Sequence, residues 1–158
     1  MCSDTPETEY GRAATDAPRW VLAALHAPGV SLAGRLLLTS AYWTSGLQKL
    51  FSFDAATAEA AALGLPAPTL TAALIIIVQL AGSAAVIVAG RWTWLGAGAL
   101  GIFTLLATLI AHAFWTYPAA EQGHQFAVFT EHLSLIGGLV LAAVLTKRGR
   151  GGRAEQPA

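Results

Sequence analysis

Phe126 to Gly138 reads FAVFTEHLSLIGG and opens an apolar run that continues through Leu145. A carboxylate and an imidazole, Glu131 and His132, interrupt it side by side. If the run crosses a membrane, both lie one to two turns below the surface. An ionisable group at that depth costs about 2 kcal/mol or more unless it is paired, hydrated or neutralised. The expectation is that both face inward and find partners elsewhere in the chain.

Composition supports the membrane reading. Of 158 residues, 55% are hydrophobic and 11% charged, whereas globular domains carry about 25% charged residues. A soluble domain of this size would still need a wetted surface, which this composition cannot supply. The first partner is therefore the lipid bilayer. Zero net charge argues against a nucleic-acid partner. Cys2 is the only cysteine, which excludes an internal disulfide, a CxxC redox pair and a cysteine-rich metal site. No metal site and no covalently bound cofactor are expected.

Four runs come near the roughly 20 apolar residues that a spanning helix needs: Leu32–Phe51, Leu70–Gly90, Trp92–Trp115 and Phe126–Thr146. Gly90 and Arg91 leave the second and third no choice but to be antiparallel neighbours. Residues 1–31 form a polar tail broken by Pro6, Pro18, Pro28 and Gly29, in which Trp20–His26 reads as a short interfacial helix. No signal peptide is expected there. Residues 147–158 form a basic tail expected to be disordered.

Eight basic residues (Arg12, Arg19, Arg35, Arg91, Lys147, Arg148, Arg150 and Arg153) fall on one side of this topology and Lys49 alone on the other. The positive-inside rule then makes both tails cytoplasmic. Loops 52–69 and 116–125 would lie outside, and the alanine-rich Ala55–Leu63 would be a short helix ended by Gly64 and Pro66. The expected fold is all-α: an integral membrane four-helix bundle over residues 32–146, both termini cytoplasmic, with a short extracytoplasmic helix between the first two spans.

Alternating helix direction puts Gln48, Lys49, Gln79, His112, Glu131 and His132 in the outer half of the membrane, Glu131 and His132 about 8 to 9 Å into their run. Small and polar residues form stripes at steps of three and four: Ala97, Gly101, Thr104, Thr108 and His112 on the third run, Gly34, Ala41, Ser45 and Gln48 or Lys49 on the first. Such stripes are ordinary helix-packing features. Lys49 also has a bland reading as a snorkelling anchor, and Gln79 as interhelical glue. The sharper reading is a polar pocket open to the outer face, with Lys49 paired to Glu131.

Several pieces resemble the DoxX family of small four-helix membrane proteins. They are Arg35 followed by three leucines, Ser45-Gly46-Leu47-Gln48-Lys49-Leu50, Leu63-Gly64-Leu65-Pro66, Gln79-Leu80-Ala81-Gly82, His112-Ala113-Phe114-Trp115, and Phe129 through Gly138. The resemblance covers residues 32–146 and keeps order and spacing. It departs at Gln79, where such proteins commonly carry Glu, and at Glu131-His132, where they carry Lys-Asn or Asn-Asn. It implies a small subunit of a membrane oxidoreductase system, of the kind seen in a quinone-linked thiosulfate-oxidising enzyme and in an assembly associated with oxidative stress.

Two functions compete. In the first, the chain is a subunit of a quinone-linked oxidoreductase and receives electrons from a membrane or peripheral partner, since it has no cofactor-binding fingerprint of its own. The pocket would hold a quinone headgroup. Glu131 and His132 would handle protons, and Lys49, Gln48, Gln79, His112 and Trp115 would bind the ligand. In the second, it is a non-enzymatic membrane factor for maturation or stress tolerance that acts by binding a partner protein. A haem held between His112 and His132 and a small-solute transporter are weaker readings.

Overall fold

The computed structural model describes residues 18–88 and 90–154. Every regular element among them is helical: α1 (Arg19–His26), α2 (Pro28–Leu38), α3 (Ser40–Phe51), α4 (Phe53–Ala62), α5 (Pro68–Val88), α6 (Thr93–Ala111), a 3-10 turn (Phe114–Thr116) and α7 (Ala119–Ala154). The outer parts of the two expected tails, residues 1–17 and 155–158, lie outside the described residues. The chain divides into two compact units, one ending at Gly34 and one beginning at Arg35. The core and the site described below lie in the second.

Among the described residues, three helical segments are long and apolar enough to cross a membrane: Pro68–Val88, Thr93–Thr116 and Ala119–Thr146. Arg19–Leu25 and Gly29–Leu38, counted as one bent pair, bring the number to four. The expected first run, Leu32–Phe51, is not one helix. It breaks at Thr39 into the 11 residues of α2 and the 12 of α3. The cause is local side-chain competition for the backbone. Thr39 Oγ1 donates to the Arg35 carbonyl at 2.7 Å, Trp43 Nε1 to that of Leu36 at 3.3 Å, and Ser40 Oγ to that of Leu37 at 2.8 Å. The Leu36 and Leu37 carbonyls are thus satisfied by side chains, while that of Arg35 also keeps the Thr39 amide, which is what allows a break at membrane depth.

The last span also begins elsewhere than expected. Residues 119–125 are the first two turns of α7 rather than loop. Pro118 precedes the helix and accepts from the amides of Glu121 and Gln122, and Glu121 places a carboxylate in the first turn, where the helix dipole favours it. At the other end α7 continues to Ala154, past Thr146, where the sequence alone expects the basic tail. No proline stops the helix before Ala154, and Lys147, Arg148 and Arg150 favour it, while Gly149, Gly151 and Gly152 make this its weakest part.

The α5–α6 hairpin packs backbone against backbone. A Cβ on Gly96 would lie 2.7 Å from the Gly82 carbonyl oxygen and 2.7 Å from the Ala85 Cβ, and Leu100 fills the space over Gly82. Glycine is what lets the two backbones meet. The packing order runs α3 on α5, α5 on α6, and α6 on α7, with Leu38 of α2 against Gly138 of α7. Tyr42, Val86, Ala97, Leu100 and Leu139 form the core. Ile77, Ile102, Leu133, Val140 and Leu141 point outward, the inverted surface of a protein whose solvent is lipid.

The short helix expected after the first span is α4. Gly64, at φ +68, donates to the Ala61 carbonyl and Leu65 donates to that of Ala60. This is the hydrogen-bond pattern of a Schellman stop, and it turns the chain back over α5.

Candidate functional site

A cavity of about 430 Å³ lies among α3, α4, α5, α6 and α7. Its walls are mostly apolar: Ala56 and Ala60 from α4, Ala72 and Ile75 from α5, Phe103, Leu106 and Ala107 from α6, and Leu135 from α7. Its polar groups are Tyr42, Ser45 and Lys49 on α3, Glu59 on α4, Thr71 on α5, Thr104 on α6, His112 just after α6, and His132 on α7. A second hollow of about 510 Å³ between α6 and α7 is lined by Trp94, Leu133, Val140 and other residues that carry no ionisable side chain. Only the first offers chemistry.

Of the residues singled out from sequence, Lys49, His112 and His132 meet at this cavity. Gln79 is buried beside it, with Nε2 donating to Ser45 Oγ at 3.3 Å. Gln48 and Trp115 are exposed, and neither lines the cavity. Trp115 instead packs edge-on against Phe114 and Phe129. Glu131 is exposed on the outer side of α7. Adjacent residues on a helix point about 100° apart, so with His132 facing the cavity Glu131 cannot.

The expected Lys49–Glu131 pair is accordingly replaced. Lys49 Nζ donates to Glu59 Oε2, a carboxylate from α4. The Glu59 side chain is 57% exposed, so the pair stands at the cavity rim, and such pairs contribute no more than about 1 kcal/mol. A double-mutant cycle with Lys49→Met and Glu59→Gln, read as unfolding free energy in detergent, should show coupling of that order. The cycle of Lys49→Met with Glu131→Gln should be additive. Coupling in the second cycle and none in the first would restore the original pairing.

The two histidines are held by side chains that the sequence reading treated as packing or loop. His132 Nδ1 lies 2.8 Å from Thr108 Oγ1, and His112 Nδ1 lies 2.8 Å from Gln125 Oε1. The ring centroids are 5.1 Å apart with planes at 75°. Rings in edge-to-face contact cannot stand on opposite faces of a haem, so this arrangement does not fit the axial-ligand reading. Among the described residues, no cluster of three or more His, Cys, Asp or Glu forms. Below the histidines, Tyr42 Oη lies 2.6 Å from Thr104 Oγ1, which itself donates to the Leu100 carbonyl at 2.7 Å. A hydroxyl has one proton, so Tyr42 is the donor.

From sequence alone Thr104 and Thr108 read only as members of a small-residue stripe, Glu59 as part of the short helix Ala55–Leu63, and Gln125 as loop. The usable signal was spacing: Thr104, Thr108 and His112 recur every four residues on the face that meets α7.

The DoxX family profile matches residues 30–113. The chain is 29% identical over 117 residues to the inner membrane protein YphA of Escherichia coli (strain K12), covering 74% of this chain and 83% of that one. No solved structure matches it. The apolar helices and these matches place it among multi-pass proteins of the bacterial inner membrane. Over half of its length fits the family profile, in the segment that supplies α3 to α6 and His112, and the chain belongs to the DoxX family.

Proposed function

We propose that this protein is a membrane subunit of a quinone-linked oxidoreductase system and that its cavity receives the quinone headgroup. The observation that carries this reading is the meeting of His112 and His132 at one largely apolar cavity of about 430 Å³. Sites for small organic ligands are mostly apolar, about 300–1,000 Å³, with a few placed polar groups. A ring with an oxygen at each end fits that description. The quinone would supply the carriage of electrons and protons. His112 and His132 would hydrogen-bond the oxygens of the headgroup in its reduced, quinol form, the Lys49–Glu59 pair would stand at the rim, and Leu135 and Phe103 would cover the ring. Glu131, off the cavity, takes no part in binding. In the orientation that the basic asymmetry implies, the cavity lies toward the outer face.

The test is mass spectrometry of lipids retained after gentle solubilisation. The protein should carry quinone, counted together with its quinol form, well above its share of bulk membrane lipid. His112→Ala combined with His132→Ala should lower that severalfold, at about 1 kcal/mol per lost hydrogen bond, and Glu131→Gln should not. Retention unaffected by the histidine variants would sink the proposal.

One observation favours the alternative of a factor that binds a partner protein. Glu131 is exposed within the span Ala119–Thr146. A carboxylate facing lipid there costs about 2.5–3.5 kcal/mol, which a partner's hydrogen-bond donors would offset. The same purification decides between them: a stoichiometric protein, lost in Glu131→Gln and unaccompanied by quinone, supports the alternative.

A further inference from the structure

We infer that the cavity selects the reduced, hydroxyl-bearing form of its ring ligand, because Thr108 and Gln125 hold both cavity histidines as Nδ1–H tautomers. The inference rests on the quinone-binding reading above and specifies which redox form the site is built for.

A neutral imidazole has one N–H and one bare nitrogen. Thr108 is buried, and its hydroxyl donates its only proton to the Thr104 carbonyl at 2.6 Å. The 2.8 Å contact with His132 Nδ1 therefore needs its proton from the ring. Gln125 meets His112 through Oε1, an acceptor, so here too Nδ1 is the donor. Both N–H groups are spent outside the cavity, and both Nε2 atoms keep a lone pair.

Two other cavity groups follow the same pattern. The Tyr42 proton goes to Thr104, and the Thr71 hydroxyl donates to the Pro66 carbonyl at 2.6 Å. Each has only lone pairs left to offer. Against these four acceptors stand two donor groups away from the histidines, the Lys49 ammonium, one of whose N–H groups goes to Glu59 at the rim, and the Ser45 hydroxyl. A quinone presents only acceptor oxygens, which the bare Nε2 atoms of His112 and His132 cannot bond. A quinol presents two O–H donors and satisfies the histidines. A site built around one donor pattern rejects the analogue lacking it, because its own polar groups are then left unpaired. Thr108 and Gln125 are thus positioning residues that act through the imidazoles.

The experiment uses the full chain in nanodiscs with ¹⁵N-labelled histidine, and duroquinol and duroquinone as probes. Ring-nitrogen NMR should show Nδ1 protonated and Nε2 bare in both histidines. Duroquinol should bind at least about tenfold tighter than duroquinone, at about fivefold per hydrogen bond. Thr108→Val should cut that preference about fivefold, and Thr108→Ser should keep it. An Nε2–H tautomer at His132 overturns the inference whatever the variants do. So does equal or tighter binding of duroquinone, which leaves the quinone-binding reading standing. Binding of neither probe overturns both.

Discussion

Gly96→Val is expected to abolish the folded protein, and Gly96→Ala to destabilise it by the upper end of the about 1–3 kcal/mol that overpacking costs. The reason is what a Cβ would meet: the Gly82 carbonyl oxygen and the Ala85 Cβ, each at 2.7 Å. Neither is the free end of a flexible side chain. Relief requires α5 and α6 to separate, which strips contacts along the hairpin from Gly82 to Leu100. Gly98, two residues on, is the control. It has nothing within 4 Å of its would-be Cβ, and Gly98→Ala should be neutral or stabilising by up to about 1 kcal/mol through helix propensity. Size-exclusion profiles and thermal melts in one detergent would measure both. Equal behaviour of the two variants would show that the α5–α6 contact is looser than described.

Leu139→Ala should cost about 2–5 kcal/mol, the range for emptying a well-packed leucine site. Leu139 is 1% exposed and packs in the cluster with Tyr42, Val86, Ala97 and Leu100. In a bilayer the loss is of dispersion contacts rather than of shelter from water, because lipid is as apolar as the protein interior. Val140 separates the two effects. At 57% exposure it faces outward, where lipid replaces whatever Val140→Ala removes, so that change should stay within about 0.5 kcal/mol. Denaturant titrations of the pair would give the difference directly. A loss at position 140 as large as at 139 would mean that the outer face of α7 is itself packed against something.

Much of the fold was open to reading because membrane helices advertise themselves by length and apolarity. The α5–α6 hairpin, the short helix ended by Gly64, and the shared depth of Lys49, His112 and His132 all follow from spacing alone. What spacing does not supply is the rotation of each helix. Glu131 and His132 are adjacent in sequence, and only the contacts of α7 decide which of them faces in. Sequence alone pairs Lys49 with a carboxylate from another span, because spacing does not show that α4 lies over the cavity and brings Glu59 to its rim. The break at Thr39 was hidden for a different reason. It depends on three side-chain hydrogen bonds to backbone carbonyls, and a hydropathy run does not register them. The tautomers of the histidines rest on Thr108 and Gln125, one read as packing and the other as loop.

The break at Thr39 bears on how the protein is made. Neither the 11 residues of α2 nor the 12 of α3 reach the roughly 20 that a span requires, and α3 carries Ser45, Gln48 and Lys49. This segment is the one least able to commit itself to the bilayer during synthesis. The later helices, continuous and strongly apolar, can insert on their own account and offer it a surface. Tyr42, Ser45 and Lys49 all come from α3. The cavity is therefore complete only once the segment with the weakest claim on the bilayer has docked against the other helices.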